Sequence, residues 1–187
     1  ASRLKIVYTP LCGTGFMPVT RILKELGFSH VYTVKEQSSP DGDFPTLKSP
    51  NPEDKNAFAL ALELAREKDA DLVLATDPDA DRLGVYALDR LTGQYRAFTG
   101  NMSGSLIAEY LLRERRKAGT LPLNGALVTT IVTTNMVWRI AERYQVDVIE
   151  VLTGFKYIGE QMGIFEKTGR HEYVFGLEES YGCLTGE

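Results

Sequence analysis

Asp77, Asp79 and Asp81 place three carboxylates within five residues, and Arg82 follows directly. Carboxylates that close repel one another, and their pKa values are driven apart unless a cation neutralises them. A hard divalent ion with oxygen ligands suits the set. Magnesium, which takes a few carboxylates together with water and substrate phosphate, suits it best. Arg82 adds a forked cation that matches a phosphate oxygen beside such a metal. The plain alternative is a solvated acidic turn, which is how a lone Asp-x-Asp would be read. A calcium EF-hand loop fails on register: its sixth position would be Arg82 instead of glycine, and its twelfth Leu88 instead of glutamate.

A second constellation is Gly176-Leu-Glu-Glu-Ser-Tyr-Gly182. Glutamate and serine oxygens exchange hydrogen bonds with vicinal hydroxyls, so Glu178 and Ser180 suit a sugar. Taken alone, the segment reads as an exposed acidic turn. Two nucleotide readings fail. Gly13-Thr-Gly15 lacks the third glycine of a dinucleotide fingerprint, with Pro18 in its place, and no Gly-Lys-Ser/Thr is present. Phosphatases of the haloacid-dehalogenase type usually follow Asp-x-Asp with threonine, where this chain has a third aspartate and Arg82. A phosphatase using Asp77 as covalent nucleophile stays open as a rival, as does a stand-alone module that binds metal and sugar phosphate.

These residues need a scaffold. The 187 residues allow one large domain or two small ones. With 43% hydrophobic residues, 25% charged residues and a net charge of -4, the composition argues against a nucleic-acid partner, which would need a clustered basic face. The densest basic run, Arg113, Arg115, Arg116 and Lys117, closes a predicted helix, where it complements the helix dipole. No apolar run reaches membrane-spanning length and no signal-peptide pattern opens the chain, so no membrane partner is expected. Cys12 and Cys183 are too few for a disulfide framework, and a reducing cytoplasm fits. Both ends look cut, as in a piece of a longer protein.

The hydrophobic pattern predicts alternating elements. Strands are expected at Leu4 to Tyr8, His30 to Lys35, Asp71 to Thr76, Leu83 to Leu88 and Tyr95 to Phe98, the last two joined by a turn at Thr92-Gly93. Helices are expected at Pro18 to Leu26, stopped by Gly27, and from Asn51 onward, with Asn51 as N-cap and Pro52 in the first turn. Phe58, Ala61, Leu62 and Ala65 would form the buried face of the second. A second unit is expected from about Thr99. Its first helix would be capped by Ser103 and carry an apolar stripe of Leu106, Ile107, Tyr110 and Leu111. Strand Ala126 to Val132, helix Asn135 to Tyr144, strand Val146 to Leu152, helix Tyr157 to Lys167 and strand Tyr173 to Phe175 follow, before a terminal loop. The expected fold is two consecutive α/β units, residues 1–98 and 99–187, with mainly parallel sheets covered by helices. Ligands of such sheets gather at loops leaving the carboxyl ends of strands.

Five segments, in order along the chain, resemble the α-D-phosphohexomutases, the family of phosphoglucomutases and phosphomannomutases. They are Thr9-Pro-Leu-Cys-Gly-Thr-Gly15, Pro50-Asn-Pro-Glu53, Thr76-Asp-Pro-Asp-Ala-Asp-Arg82, Thr153-Gly-Phe-Lys-Tyr-Ile-Gly159 and Gly176-Leu-Glu-Glu-Ser-Tyr-Gly182. The aspartate and glutamate-serine loops are the specific ones. The resemblance implies the second and third of four domains, the third lacking its C-terminal part. It implies magnesium on Asp77, Asp79 and Asp81, with Arg82 stabilising the transferring phosphoryl group. Glu178 and Ser180 would grip sugar hydroxyls, and Thr153, Gly154, Phe155 and Lys156 would line the sugar pocket. The implied substrate is glucose 1-/6-phosphate or mannose 1-/6-phosphate, and the GLEESYG and LTGFKYIGE segments lean towards the glucose enzymes of bacteria. The family's phosphoserine loop, Thr-x-Ser-His-Asn, has no counterpart, since Ser29-His30 lies in another context. The first and fourth domains would therefore be partners outside this chain, which is expected to be inactive alone.

Overall fold

The first apolar run is strand β1 (Lys5–Thr9), which buries Ile6, Val7, Tyr8 and Thr9. Continuous burial of successive residues requires cover on both faces of the sheet. In the computed structural model, which describes residues 3–186, that cover comes from helices. The chain divides into two compact units, Ala1–Thr99 and Gly100–Glu187.

In the first unit, β1 is followed by α1 (Phe16–Glu25), β2 (His30–Thr33), α2 (Ala59–Lys68), β3 (Leu72–Thr76), β4 (Leu83–Asp89) and β5 (Gln94–Phe98). Among the described residues the strand order is β2-β1-β3-β4-β5. β1 runs parallel to β2 and β3, with Ile6 opposite Leu72, whereas β4 runs antiparallel to both its neighbours, β3 and β5. Phe58, Ala61 and Ala65 pack with Val7, Val73 and Ala75 into one core.

The second unit contains α3 (Gly100–Ala118), β6 (Gly125–Thr130), α4 (Met136–Tyr144), β7 (Asp147–Val151), α5 (Phe155–Thr168), β8 (Glu172–Leu177) and β9 (Cys183–Thr185). Its strand order among the described residues is β7-β6-β8-β9, with β6 parallel to both neighbours and β9 antiparallel to β8. Alternation along β6 divides the core. Leu127 joins Ala108, Leu112, Val137 and Ala141 on the α3 and α4 side, and Ala126 and Val128 join Ile158 and Phe165 on the α5 side. Both units are thus α/β, with sheets that mix parallel and antiparallel pairs.

Four local expectations change. The helix signal at Asn51 is not a cap: Asn51 accepts from Glu53 N at 2.9 Å in a turn, Asp54 caps a 3₁₀ turn (Lys55–Phe58), and α2 starts only at Ala59. Ser103 lies inside α3, which begins at Gly100, and its hydroxyl is buried without a hydrogen-bond partner. The stripe on α3 is partly rotated: Ile107 and Leu111 pack against the core as expected, but Leu106 and Tyr110 are exposed, and Gly104, Ala108 and Leu112 are buried. Small residues win that face because the helix lies close to β8; a Cβ on Gly104 would stand 2.7 Å from Leu177 Cδ1. The terminal segment also forms a hairpin, β8-β9, where a loop was expected.

Candidate functional site

The aspartate loop leaves the carboxyl end of β3. Because β1 is β3's parallel neighbour, the loop leaving β1 must lie beside it. Tyr8 OH and Thr76 Oγ1 are 2.8 Å apart at the strand ends. Thr14 then donates to Pro78 O twice, from its backbone N at 2.8 Å and its hydroxyl at 3.0 Å. Gly13 is required there, since a Cβ would fall within 3.0 Å of the Pro78 Cα, carbonyl carbon and oxygen. The turn is closed by Ala80 N donating to Asp77 O at 3.0 Å, with Ala80 itself at φ 62°.

These constraints bring the three aspartates together: one oxygen from each of Asp77, Asp79 and Asp81 lies within 4.8 Å of the others. Asp77 is buried, and Asp79 and Asp81 are exposed. Both Asp77 oxygens accept from Arg82, Oδ1 from its backbone N at 3.0 Å and Oδ2 from Nε at 2.6 Å. Burial pushes the Asp77 carboxyl up, but the hydrogen bonds from Arg82 outweigh it and hold the group below the usual carboxylate range. Asp81 moves the other way, raised by partial loss of hydration and by its neighbours Asp77 and Asp79. Arg82 is itself clamped, with Nη1 3.4 Å from Asn51 Oδ1 and 4.0 Å from Glu53 Oε1. Spacing alone assigned no role in the site to Thr14, Asn51 or Glu53. The strand order makes Thr14's position derivable, whereas Asn51 and Glu53 reach Arg82 only through the tertiary fold.

In the second unit the glutamate-serine segment is the β8-β9 hairpin, closed by Glu178 N donating to Gly182 O at 2.9 Å. Glu178 is 6% exposed, and its Oε1 accepts from Gly154 N at 2.6 Å. Glu179 Oε2 accepts from the Thr130 hydroxyl at 3.3 Å, and Thr130 and Thr133 share a hydroxyl contact at 2.8 Å. Ser180 is half-buried. Gly154 precedes α5, with Phe155 half-buried and Thr153 and Lys156 exposed. Lys156 Nζ lies 4.8 Å from the centre of the Tyr157 ring, a cation–π distance. The fold therefore joins Glu178 to the segment 153–156 and places Ser180 on the same hairpin.

Comparison with known proteins adds the lineage. Two family models match, "Phosphoglucomutase/phosphomannomutase, alpha/beta/alpha domain II" over residues 1–90 and "alpha/beta/alpha domain III" over residues 99–187. The phosphoglucomutase of Staphylococcus haemolyticus is 38% identical over 186 residues, covering 100% of this chain and 33% of that protein. A Haemophilus influenzae protein named "Probable phosphomannomutase" is 36% identical over 184 residues, 98% of this chain and 35% of its own. The chain spans about a third of the length of the curated relatives it matches. Among solved structures, a phosphoglucomutase/phosphomannomutase family protein of Burkholderia thailandensis superposes with TM-score 0.77 at 20% identity, over 97% of this chain and 35% of that one. An Aspergillus fumigatus N-acetylphosphoglucosamine mutase, solved with GlcNAc-6P and magnesium, gives 0.61 at 17% identity, over 97% and 33%. At those identities the likeness shows the fold alone. No helix of the described residues is long and apolar enough to cross a membrane.

Proposed function

The chain belongs to the phosphoglucomutase/phosphomannomutase family, and from that membership we propose that it carries the metal loop and the sugar hairpin of a phosphohexomutase. The whole protein would interconvert a hexose 1-phosphate and a hexose 6-phosphate through a phosphoserine and a bisphosphosugar. Glucose phosphates are the favoured substrates over mannose phosphates, on the relatives' names and the two motif segments. The work would be done in the cytoplasm.

The observation that carries the reading is the convergence of three carboxylates on a loop where, among the described residues, only Arg82 stands as countercharge at bonding distance to Asp77. At octahedral magnesium distances, neighbouring ligand oxygens stand about 3 Å apart and opposite ones about 4.2 Å. Three oxygens within 4.8 Å fit that donor set after a small closure. Asp77, Asp79 and Asp81 would hold the ion, which when bound neutralises charge on the transferring phosphoryl group. Arg82 keeps Asp77 ionised and oriented, and its remaining N–H donors are available to a phosphate oxygen. Glu178 and Ser180 would accept and share bonds with hydroxyls midway between the two phosphorylation sites, so that the sugar can be held either way round. Thr153, Gly154, Phe155 and Lys156 would line that site, with Lys156 near a substrate phosphate. Phosphoryl transfer depends mainly on such positioning and charge stabilisation. The nucleophilic serine and the distal phosphate site would come from domains outside these residues. A phosphatase with Asp77 as nucleophile is disfavoured by the chain's membership of a mutase family.

Calorimetric titration of magnesium into this chain and into Asp79→Ala tests the reading. Binding in the first and its loss in the second are expected. Equal binding in both would remove the aspartate loop from the proposal.

A further inference from the structure

We propose that Glu178 is a positioning residue, whose carboxylate holds the segment 153–156 in the shape a sugar site needs. The inference rests on reading the hairpin and that segment as one sugar-binding site, and it adds a function for Glu178 besides contact with a hydroxyl.

Gly154 sits at φ 126° and ψ 127°, outside the helical and ordinary strand regions, in a conformation that side-chain-bearing residues rarely adopt. Helix α5 begins one residue later, and no side chain caps it at Gly154. The first N–H groups of a helix and of the residue before it have no partner in the helix itself. Here the Gly154 carbonyl accepts from Tyr157 N at 2.9 Å, while its N–H is turned to Glu178 Oε1 at 2.6 Å. The residue is held on both sides, by its own helix and by a carboxylate from the β8-β9 turn. A hydrogen bond to an ionised acceptor is about twice as strong as a neutral one, and burial of Glu178 shields it from competing water.

A second contact locks the same two segments. Gly182, which closes the hairpin turn, lies against the Phe155 ring so closely that a Cβ would be 3.0 Å from Phe155 Cδ2 and nearer still to Cε2. Glu178 and Gly182 are themselves joined across the turn by their backbones. The hairpin and the start of α5 therefore form one preorganised unit. Replacement of Glu178 would displace Thr153, Phe155 and Lys156 as well as remove an acceptor for the sugar.

The test is amide hydrogen exchange and ¹H–¹⁵N spectroscopy on the full chain, with Glu178→Gln and Glu178→Ala. In Glu178→Ala, exchange at Gly154 should accelerate about tenfold or more, with the amides of β6 unchanged. Glu178→Gln keeps a side-chain carbonyl acceptor. It should retain most of the protection, with the Gly154 amide resonance shifted upfield as the anionic acceptor is lost. A Gly154 exchange rate and chemical shift unchanged in Glu178→Ala would overturn the proposal. If Glu178→Ala does not fold, a Gly154 resonance identical in wild type and Glu178→Gln would do the same. Titration with glucose 1-phosphate separates the two ideas. If the variants show the Gly154 response while the wild-type chain binds no sugar phosphate, the clamp stands and the sugar reading falls.

Discussion

The aspartate loop and the β8-β9 hairpin carry the same chemical groups and differ in what balances them. On the loop, Arg82 satisfies Asp77, while Asp79 and Asp81 stay exposed and Asp81 is raised by partial loss of hydration and by the other two carboxylates. On the hairpin, Glu178 meets a backbone N–H and Glu179 meets a hydroxyl, so neutral dipoles answer each carboxylate separately. A count of acidic residues would rank the two segments almost equally. What marks the cation site is crowding with too little countercharge, and what marks the hairpin is that its acids already serve the fold.

The largest expected effect tests how each region is built. Gly13→Ala would drive a Cβ into the Pro78 backbone, which cannot step aside as a flexible side chain could. A loss of about 3 kcal/mol in urea unfolding is expected, together with loss of metal binding. Gly159→Ala, at a motif glycine within α5 that has nothing within 4 Å of an added Cβ, should instead stabilise by up to about 1 kcal/mol. Equal costs at both glycines would break the contrast.

A middle-sized effect concerns charge. Asp77→Asn removes the ionised partner of Arg82 and should cost about 2 kcal/mol in the same unfolding measurement. Calorimetry should also show magnesium affinity reduced about tenfold or more. Glu179→Gln, which leaves an amide oxygen to accept from Thr130, should change stability by less than about 0.5 kcal/mol.

The smallest effect is a control at the opposite end of β3 from the aspartate loop. Asp71 accepts from Lys5 N at 2.9 Å and pairs with Arg90, and the Lys5 backbone hydrogen bond is the leading cause that holds its carboxyl below the usual value. A depressed folded pKa contributes stability above the unfolded pKa and loses it as pH falls through the folded one. Asp71→Asn should therefore cost less than about 1 kcal/mol at pH 7. The difference from wild type should vanish in acid below the depressed value, with magnesium affinity unaffected throughout. A shift in metal affinity would show that charge anywhere in the unit tunes the loop.

Much was legible from local pattern. Apolar runs marked β1, β3, β4, β6 and β7, because a strand buried on both faces or one face leaves that imprint on residue type. The short β9 left none: three residues, Cys183 to Thr185, are too few for a period, and their pairing depends on the turn before them. Cap signals at Asn51 and Ser103 misled for related reasons. Asn51's oxygen serves Glu53 and Arg82, a partner 31 positions away, and Ser103 was drawn inside α3 when the helix extended back to Gly100. Half of the α3 stripe, Leu106 and Tyr110, was misplaced because hydrophobicity favours large residues, whereas close approach to Leu177 favours Gly104.

The sequence by itself determined the α/β class, the crowding of Asp77, Asp79 and Asp81 with Arg82 beside them, and the family, since all of these rest on residue types within short windows. Tertiary structure alone decided which carboxylates are neutralised and by what. Arg82's hold on Asp77, the Thr14 and Gly13 contacts with Pro78, and the bond from Gly154 to Glu178 depend on strand order and on positive-φ turns. Hydrogen bonds and steric contacts reach only a few ångströms, so partners distant in the chain become partners only when the sheet brings them together.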